Sequence, residues 1–275
     1  MTDVIITAPP VSGPKKQKAR DWIHRIALLL AVALPLFFMA AALGSKYGLW
    51  SWQTGLGTLT RGIGPKLIFA TLGFGVLALL VSAFVKPRKG WWVGGLAILL
   101  PLGFMAKGAE VRKTAQSLPF IHDVTTDTQD PPTFSDVIKA QRAAVKNVNT
   151  LDYIGKRDRA EEKGGQLVSV LQVNAYPNIR PLILPDSPNV AFGKALASAE
   201  AMGWQIAYSD EATGRIDATA TTFWYGFKDD VAIRIRPSEG GGSVVDARSI
   251  SRVGGSDIGA NAARLEGFLD KLSGK

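Results

Sequence analysis

One histidine and three aspartates stand together in 121-IHDVTTDTQDPP-132. His122, Asp123, Asp127 and Asp130 are residue types that hold metals or move protons. A catalytic zinc site takes about three protein ligands and an open position. This stretch offers one imidazole, and the only other histidine, His24, lies in a basic flank before an apolar run. An oxygen-ligated calcium or magnesium ion is the alternative, but the spacing differs from the EF-hand loop. The plainer reading is that Asp123, Thr125, Thr126 and Asp127 cap turns and pin the chain where it enters a folded domain.

A second candidate is 248-RSISRVGGSD-257, where Arg248 and Arg252 precede a glycine pair and a helix start. Backbone N–H groups at a helix N-terminus and arginine both suit phosphate or carboxylate. The competing reading is an N-cap at Ser256 or Asp257, with the arginines paired to acids such as Asp246. A third is 222-TFWYGFKDD-230, with four aromatics in one strand-and-turn segment. It suits contact with a ligand or membrane surface. The simpler account is core packing and a tight turn, with Lys228, Asp229 and Asp230 as turn charges. No Ser-His-Asp order, nucleotide fingerprint or glycosidase carboxylate pair is present.

The 275 residues carry 32 Lys+Arg and 23 Asp+Glu, a net charge of +9. Its location decides its meaning. Residues 1–106 hold 11 basic and 2 acidic side chains (11 − 2 = +9), and residues 107–275 hold 21 of each (21 − 21 = 0). A nucleic-acid binder needs a basic patch on its folded domain, so nucleic acid is not an expected partner. With no cysteine, disulfides, thiolate zinc sites and a cysteine nucleophile are excluded.

The basic excess flanks three apolar runs, at 26–44, 67–85 and 91–106. A membrane span needs about 20 such residues. The first two suffice, and the third does so if residues 107–109 complete it, with Lys107 snorkelling. Pro35 and Pro101 are tolerable kinks. Lys15, Lys16, Lys18, Arg20 and Arg25 before the first run, and Lys86, Arg88 and Lys89 in the second loop, mark the cytoplasmic side. Three spans then deliver the rest of the chain to the periplasm of a bacterium. The expected organisation is a cytoplasmic tail at 1–25, a three-helix membrane region at 26–106, a polar linker and docking segment at 107–132, and a periplasmic domain at 133–275.

In the soluble half, 133–149 reads as a helix with Thr133 as N-cap and an apolar stripe of Phe134, Val137, Ile138, Val145 and Val148. Four prolines make 176–188 an extended segment. Ser187 and Pro188 open a helix that Gly203 ends. Four short strands follow, at 204–208, 215–224, 230–236 and 244–252, and a last helix covers 257–272. If 237–243 is a hairpin loop, Arg234 faces Asp246 and Ile233 faces Ala247. Val231, Ile233, Ile235, Val245 and Ala247 then share one face, and Arg234, Arg236, Asp246 and Arg248 share the other, as in a half-buried sheet. The fold class is α+β: three N-terminal transmembrane helices, then an antiparallel sheet flanked by helices.

The segments 121–127, 176-YPNIRPL-182, 215-RIDATATTFWYGFKDDVAIRIR-236 and 246-DARSISRVGGSDIGANAARL-265 resemble the bacterial and plastid family called domain of unknown function 1499, over roughly 119–272. The resemblance implies an envelope or thylakoid association and transfers no reaction. The helix–strands–helix order is also similar to helix-grip modules of envelope assembly lipoproteins, at the level of fold alone. The expected ligand or partner contacts are His122, Asp123, Asp127, Arg180, Arg248, Arg252, Ser256 and Trp224, with no catalytic residue, metal ligand or cofactor assigned. The expected partners are the lipid bilayer and a membrane-protein complex or anionic lipid. The expected function is a binding or scaffolding domain, an accessory or assembly subunit of a membrane complex. A lipid or small-ligand binder, and a metal-dependent or hydrolytic enzyme centred on His122, are the alternatives.

Overall fold

Three helices are long and apolar enough to cross a membrane, at Pro14–Lys46, Gln53–Phe84 and Trp91–Ser117. The computed structural model describes residues 13–159 and 161–274. The chain divides into two compact units, ending at Val111 and beginning at Arg112. The first holds α1, Pro14–Lys46, and α2, Gly64–Phe84, and α3, Trp91–Ser117, crosses the boundary. Between the apolar runs 26–44 and 67–85, a π-helical segment, Gln53–Ile63, runs directly into α2. Residues 107–117 of the expected linker are helical, because nothing from Lys107 to Ser117 breaks α3.

Small residues set the contacts between these helices. A Cβ on Gly75 would lie 2.8 Å from the Ala97 carbonyl, and one on Gly94 would lie 2.7 Å from Leu79. Close backbone approach of this kind is how apolar helices associate in lipid. At one end of the bundle the His24 ring meets Ser82 Oγ at 2.8 Å, and Arg20 donates to the Pro87 carbonyl at 2.6 Å.

The second unit is a six-stranded antiparallel sheet covered on both faces. The strands are β1 Asp123–Thr125, β2 Leu182–Leu184, β3 Gln205–Asp210, β4 Arg215–Thr221, β5 Lys228–Pro237 and β6 Ser243–Ser251. Their order is β1-β6-β5-β4-β3, and β2 also pairs with β6. β1 takes the Arg248–Ile250 part of β6 and β2 the Ser243–Val245 part, so they lie end to end along one edge. The predicted hairpin register holds: Arg234 pairs with Asp246 and Ile233 with Ala247. Gly214 turns β4 into place at φ 63°, and a Cβ there would stand 2.2 Å from the Ile235 carbonyl oxygen.

One face of the sheet carries α6 (Pro188–Ala201) and α7 (Ala260–Ser273). Phe192, Ala195, Ala199, Leu265, Phe268 and Leu272 bury against Ile216, Val231, Ile233, Ile235, Val245 and Ala247. Trp204 packs on Phe268 with ring centroids 5.4 Å apart. Gly203, at φ 74°, ends α6 as the sequence predicts.

The opposite face was expected to be open, and it is not. Phe134 and Ile138 pack on Ala232 and Ile250 there, carried by α4 (Asp136–Ala143) and its flanking chain. α4 is shorter than the predicted 133–149 and begins after Ser135, not Thr133. Val137 is exposed rather than part of the apolar stripe. A further helix, α5 (Val168–Ala175), forms where the sequence suggested no element. β4 stops at Thr221, which leaves Phe223 and Trp224 in the turn.

Phe268 is the largest fully buried side chain. Phe268→Ala is expected to lower the stability of this unit by about 3–5 kcal/mol, measured by urea unfolding of the full-length protein followed through tryptophan fluorescence.

Candidate functional site

The segment that enters the domain is bound to the sheet by buried charge pairs. Pairing of β1 with β6 places Asp123 opposite Ile250, within reach of Arg248. The Arg248 guanidinium donates to both Asp123 carboxylate oxygens, at 3.0 and 2.8 Å. It also donates to the Leu151 carbonyl at 2.7 Å and lies over the Phe134 and Tyr153 rings, 5.4 and 5.5 Å from their centroids. One side chain therefore grips three separate parts of the covering segment. Both partners are almost fully buried, at 2% for Arg248 and 1% for Asp123, and such charges persist in an interior only when paired and hydrogen-bonded.

A second group lies beside the first. Asp230, fully buried, accepts from Arg252 Nη2 at 2.7 Å and from Arg142 Nη1 at 2.7 Å. Thr219 Oγ1 donates to the same carboxylate at 2.9 Å, and Arg252 donates to Gln141 Oε1 at 2.8 Å. Arg142 and Gln141 belong to α4, so this group fastens that helix to β5 and to the chain just past β6. Gln172 of α5 brackets β1, accepting from Thr125 N at 2.9 Å and donating to Thr125 O at 2.7 Å.

His122 sits half-buried at the edge of this layer. Its Nδ1–H donates to the Gly255 carbonyl at 3.2 Å, and its Nε2 accepts from Lys156 Nζ at 3.1 Å. Lys156 Nζ is 3.9 Å from Asp123. Burial, and then the Lys156 charge, hold the His122 pKa below its ordinary 6.5. Burial also lowers the Lys156 pKa against the pull of Asp123. The imidazole and the amine face each other, each with its charged form disfavoured by burial.

Two other carboxylates are raised by burial. Asp217 is fully buried and accepts from Ser135 N at 2.6 Å, which starts α4. Asp257 accepts from Gly259 N and Asn261 N at 2.9 and 2.8 Å and so caps α7. That occupies the helix N-terminus proposed for an anion, and Arg248 and Arg252 are engaged with Asp123 and Asp230 instead. Asp246, expected to pair with them, binds Arg234 at 3.0 Å and Arg236 at 2.7 Å.

A family model described as "Protein of unknown function (DUF1499)" matches residues 123–272, which is 150 of 275 residues. The chain belongs to this family. The match opens on the first residue of β1 and closes within α7, so the DUF1499 domain is the sheet with both its covers. The three long apolar helices lie outside it. No curated protein matches the chain.

Within the DUF1499 domain the predicted site residues do not form one site. His122, Asp123 and Arg248 come together, and Arg252 stands four residues further along, just past the end of β6. Asp127 caps a turn, accepting from the backbone N–H of Gln129 and Asp130 at 2.9 Å each. Ser256 accepts from Ile258 N at 3.3 Å. Arg180 is exposed and donates to the Pro177 carbonyl at 2.8 Å. Trp224 is exposed at the β4–β5 turn. Among the described residues no group of three or more His, Asp and Glu side chains is placed to hold a metal ion.

Lys156, Arg142 and Asp230 are the members that sequence reasoning missed. Asp230 was read as a turn charge, yet carrying the β5–β6 register two residues further sets it opposite Ile250, on the face of Arg248 and Arg252. Lys156 lies in a highly charged stretch with no local sign that it turns inward.

Asp123→Asn, which leaves Arg248 buried without a carboxylate, is expected to lower stability by about 3–5 kcal/mol. Adding Arg248→Met is expected to recover part of that loss, read by denaturant unfolding of both variants.

His122 has a pH signature of its own. A lowered pKa in the folded state means its stability contribution is present above pH 6.5 and lost as pH falls below it. Asp217 and Asp257, with raised pKa values, act in the opposite sense, favouring the fold at low pH and losing that contribution as pH rises. His122→Gln keeps an acceptor for Lys156 and does not titrate. Its melting temperature is therefore expected to fall less than that of the parent between pH 7 and pH 5, in thermal melts at both values.

Proposed function

We propose that this protein is a multi-pass inner-membrane protein whose DUF1499 domain lies in the periplasm and binds or scaffolds a partner, as an accessory or assembly subunit of a membrane complex. The observation that carries the reading is how the charged residues are used. Asp123, Arg248, Arg252, Asp230 and Arg142 are consumed in internal pairs that hold the cover to the sheet. Chemistry at a substrate requires groups that are presented to it, whereas a rigid, internally satisfied scaffold suits presentation of a surface.

The orientation rests on charge. Eight Lys and Arg residues in the N-terminal flank and the 86–90 loop favour the cytoplasmic side, and three spans carry the domain across. Because the chain has no cysteine, Glu239→Cys in the exposed β5–β6 turn gives one labelling site. A membrane-impermeant maleimide is expected to label it in intact spheroplasts. Labelling only after lysis would reverse the topology.

A second reading attaches to His122 and Lys156, whose 3.1 Å contact joins an imidazole acceptor to an amine of lowered pKa. Such a pair can serve as base or nucleophile. Native mass spectrometry of the full-length protein in mild detergent separates the two. We expect a second protein at fixed stoichiometry that His122→Gln retains. A chain that runs alone overturns the scaffold reading. A partner kept by His122→Gln while cellular function is lost moves the assignment to chemistry at this pair.

A further inference from the structure

The two ends of the DUF1499 sheet differ in chemistry. Four loops gather at the end where the chain enters: 118–122, 144–150, the β4–β5 turn at 222–227 and the β6–α7 loop at 252–259. The register fixes this, since Thr221 pairs with Lys228, Asp229 with Ser251 and Asp123 with Ile250. Asn149 Nδ2 joins the group by donating to the Ser251 and Gly254 carbonyls at 3.0 and 2.9 Å.

This end presents large apolar side chains. Phe223 is 67% exposed, Phe120 57% and Trp224 49%. Lys146 and Lys228 are exposed beside them. The one carboxylate in the four loops, Asp257, is occupied by the start of α7. The opposite end carries exposed Glu211 and Glu239 in its β3–β4 and β5–β6 turns, with Asp130 nearby on Arg234.

The aromatic turn is built rather than slack. Thr222 Oγ1 donates to the Trp224 carbonyl at 2.7 Å and accepts from Phe227 N at 2.9 Å. Tyr225 is held at φ 60° and Gly226 at φ 65°. A non-glycine residue in the left-handed region is strained by about 1–3 kcal/mol and persists only where its surroundings enforce it. The turn holds Phe223 and Trp224 against each other, edge to face at 4.8 Å, on the outside of the domain.

We propose that this end of the domain rests on an anionic lipid surface, with Phe223 and Trp224 in the headgroup layer and Lys146 and Lys228 against lipid phosphates. Aromatic side chains with an apolar body suit that layer, and tryptophan most of all. Lysines beside them and few exposed acids match a negative surface. The chain also enters the domain at this end, directly from α3, whose first part is apolar. An exposed aromatic patch is a liability in water and an anchor at a bilayer. The scaffold reading is separate: a lipid-facing end leaves the acidic end for a protein partner.

The test uses the full-length chain in nanodiscs of phosphatidylethanolamine with or without phosphatidylglycerol. A bimane label at Thr221→Cys, beside the turn, is compared with one at Glu239→Cys at the far end. Nitroxide-headgroup lipid is expected to quench the first several-fold more than the second. Phe223→Ser with Trp224→Ser, both exposed positions, is expected to remove that difference. Lys146→Glu with Lys228→Glu is expected to remove the added quenching that phosphatidylglycerol brings. Equal quenching at the two labels, or quenching at Thr221→Cys that survives loss of both aromatics, overturns the proposal. So does an unquenched Thr221→Cys label in discs that hold this chain alone, which would point to a protein partner or a second copy as the occupant.

Discussion

A guanidinium that is 2% exposed can exist in a folded protein only beside a carboxylate, and Arg248 imposes that condition on the whole domain. The sheet alone has no partner for it, because the facing positions on β5 supply Ala232 and Asp230 is taken by Arg252 and Arg142. Asp123 has to be brought in, and with it β1, the turn at Asp127 and the loop that carries Phe134. The aromatic rings of Phe134 and Tyr153 then close over the guanidinium. One face of the sheet is closed by apolar packing under α6 and α7, and the β1 and α4 part of the other by charge pairing, while Arg236 stays exposed on that second face.

The two faces were unequally legible for a physical reason. On the apolar face the alternation along β5 and β6, with a glycine-rich turn between them, sets the register locally, and residues 231–236 pair as read. The charged face obeys the same alternation, so Arg234, Arg236, Asp246 and Arg248 looked solvated. Nothing in their local sequence says that a cover arrives with Asp123 from 125 residues away and Arg142 from 88. The same blindness applies to Lys156, whose charged neighbours mark a surface turn while its own side chain bends toward His122. The aromatic run at 222–227 misled in the other direction. Its composition argues for a core, but the tight turn expels Phe223 and Trp224.

Edge management completes the architecture. β6 would be an outer strand with a full row of unpaired backbone groups, and β1 and β2 divide that row between them. Short edge strands of three residues each are poor templates for another chain. At the far side β3 carries an irregularity between Ile206 and Tyr208, and a bulge twists an edge away from flat pairing. A membrane tether confines copies to a plane and raises their encounter rate, so closed edges matter more here than in a freely diffusing domain.

The Asp123–Arg248 pair spans 125 residues of chain, which bears on how the domain is made. The ribosome releases the cover first and the strand it covers almost last. Until β6 exists, Asp123 and the Tyr153 ring lack Arg248, the side chain they close on. Assembly of the second face is therefore post-synthetic, and a chain interrupted before residue 248 would keep its membrane helices while its cover hung unfastened.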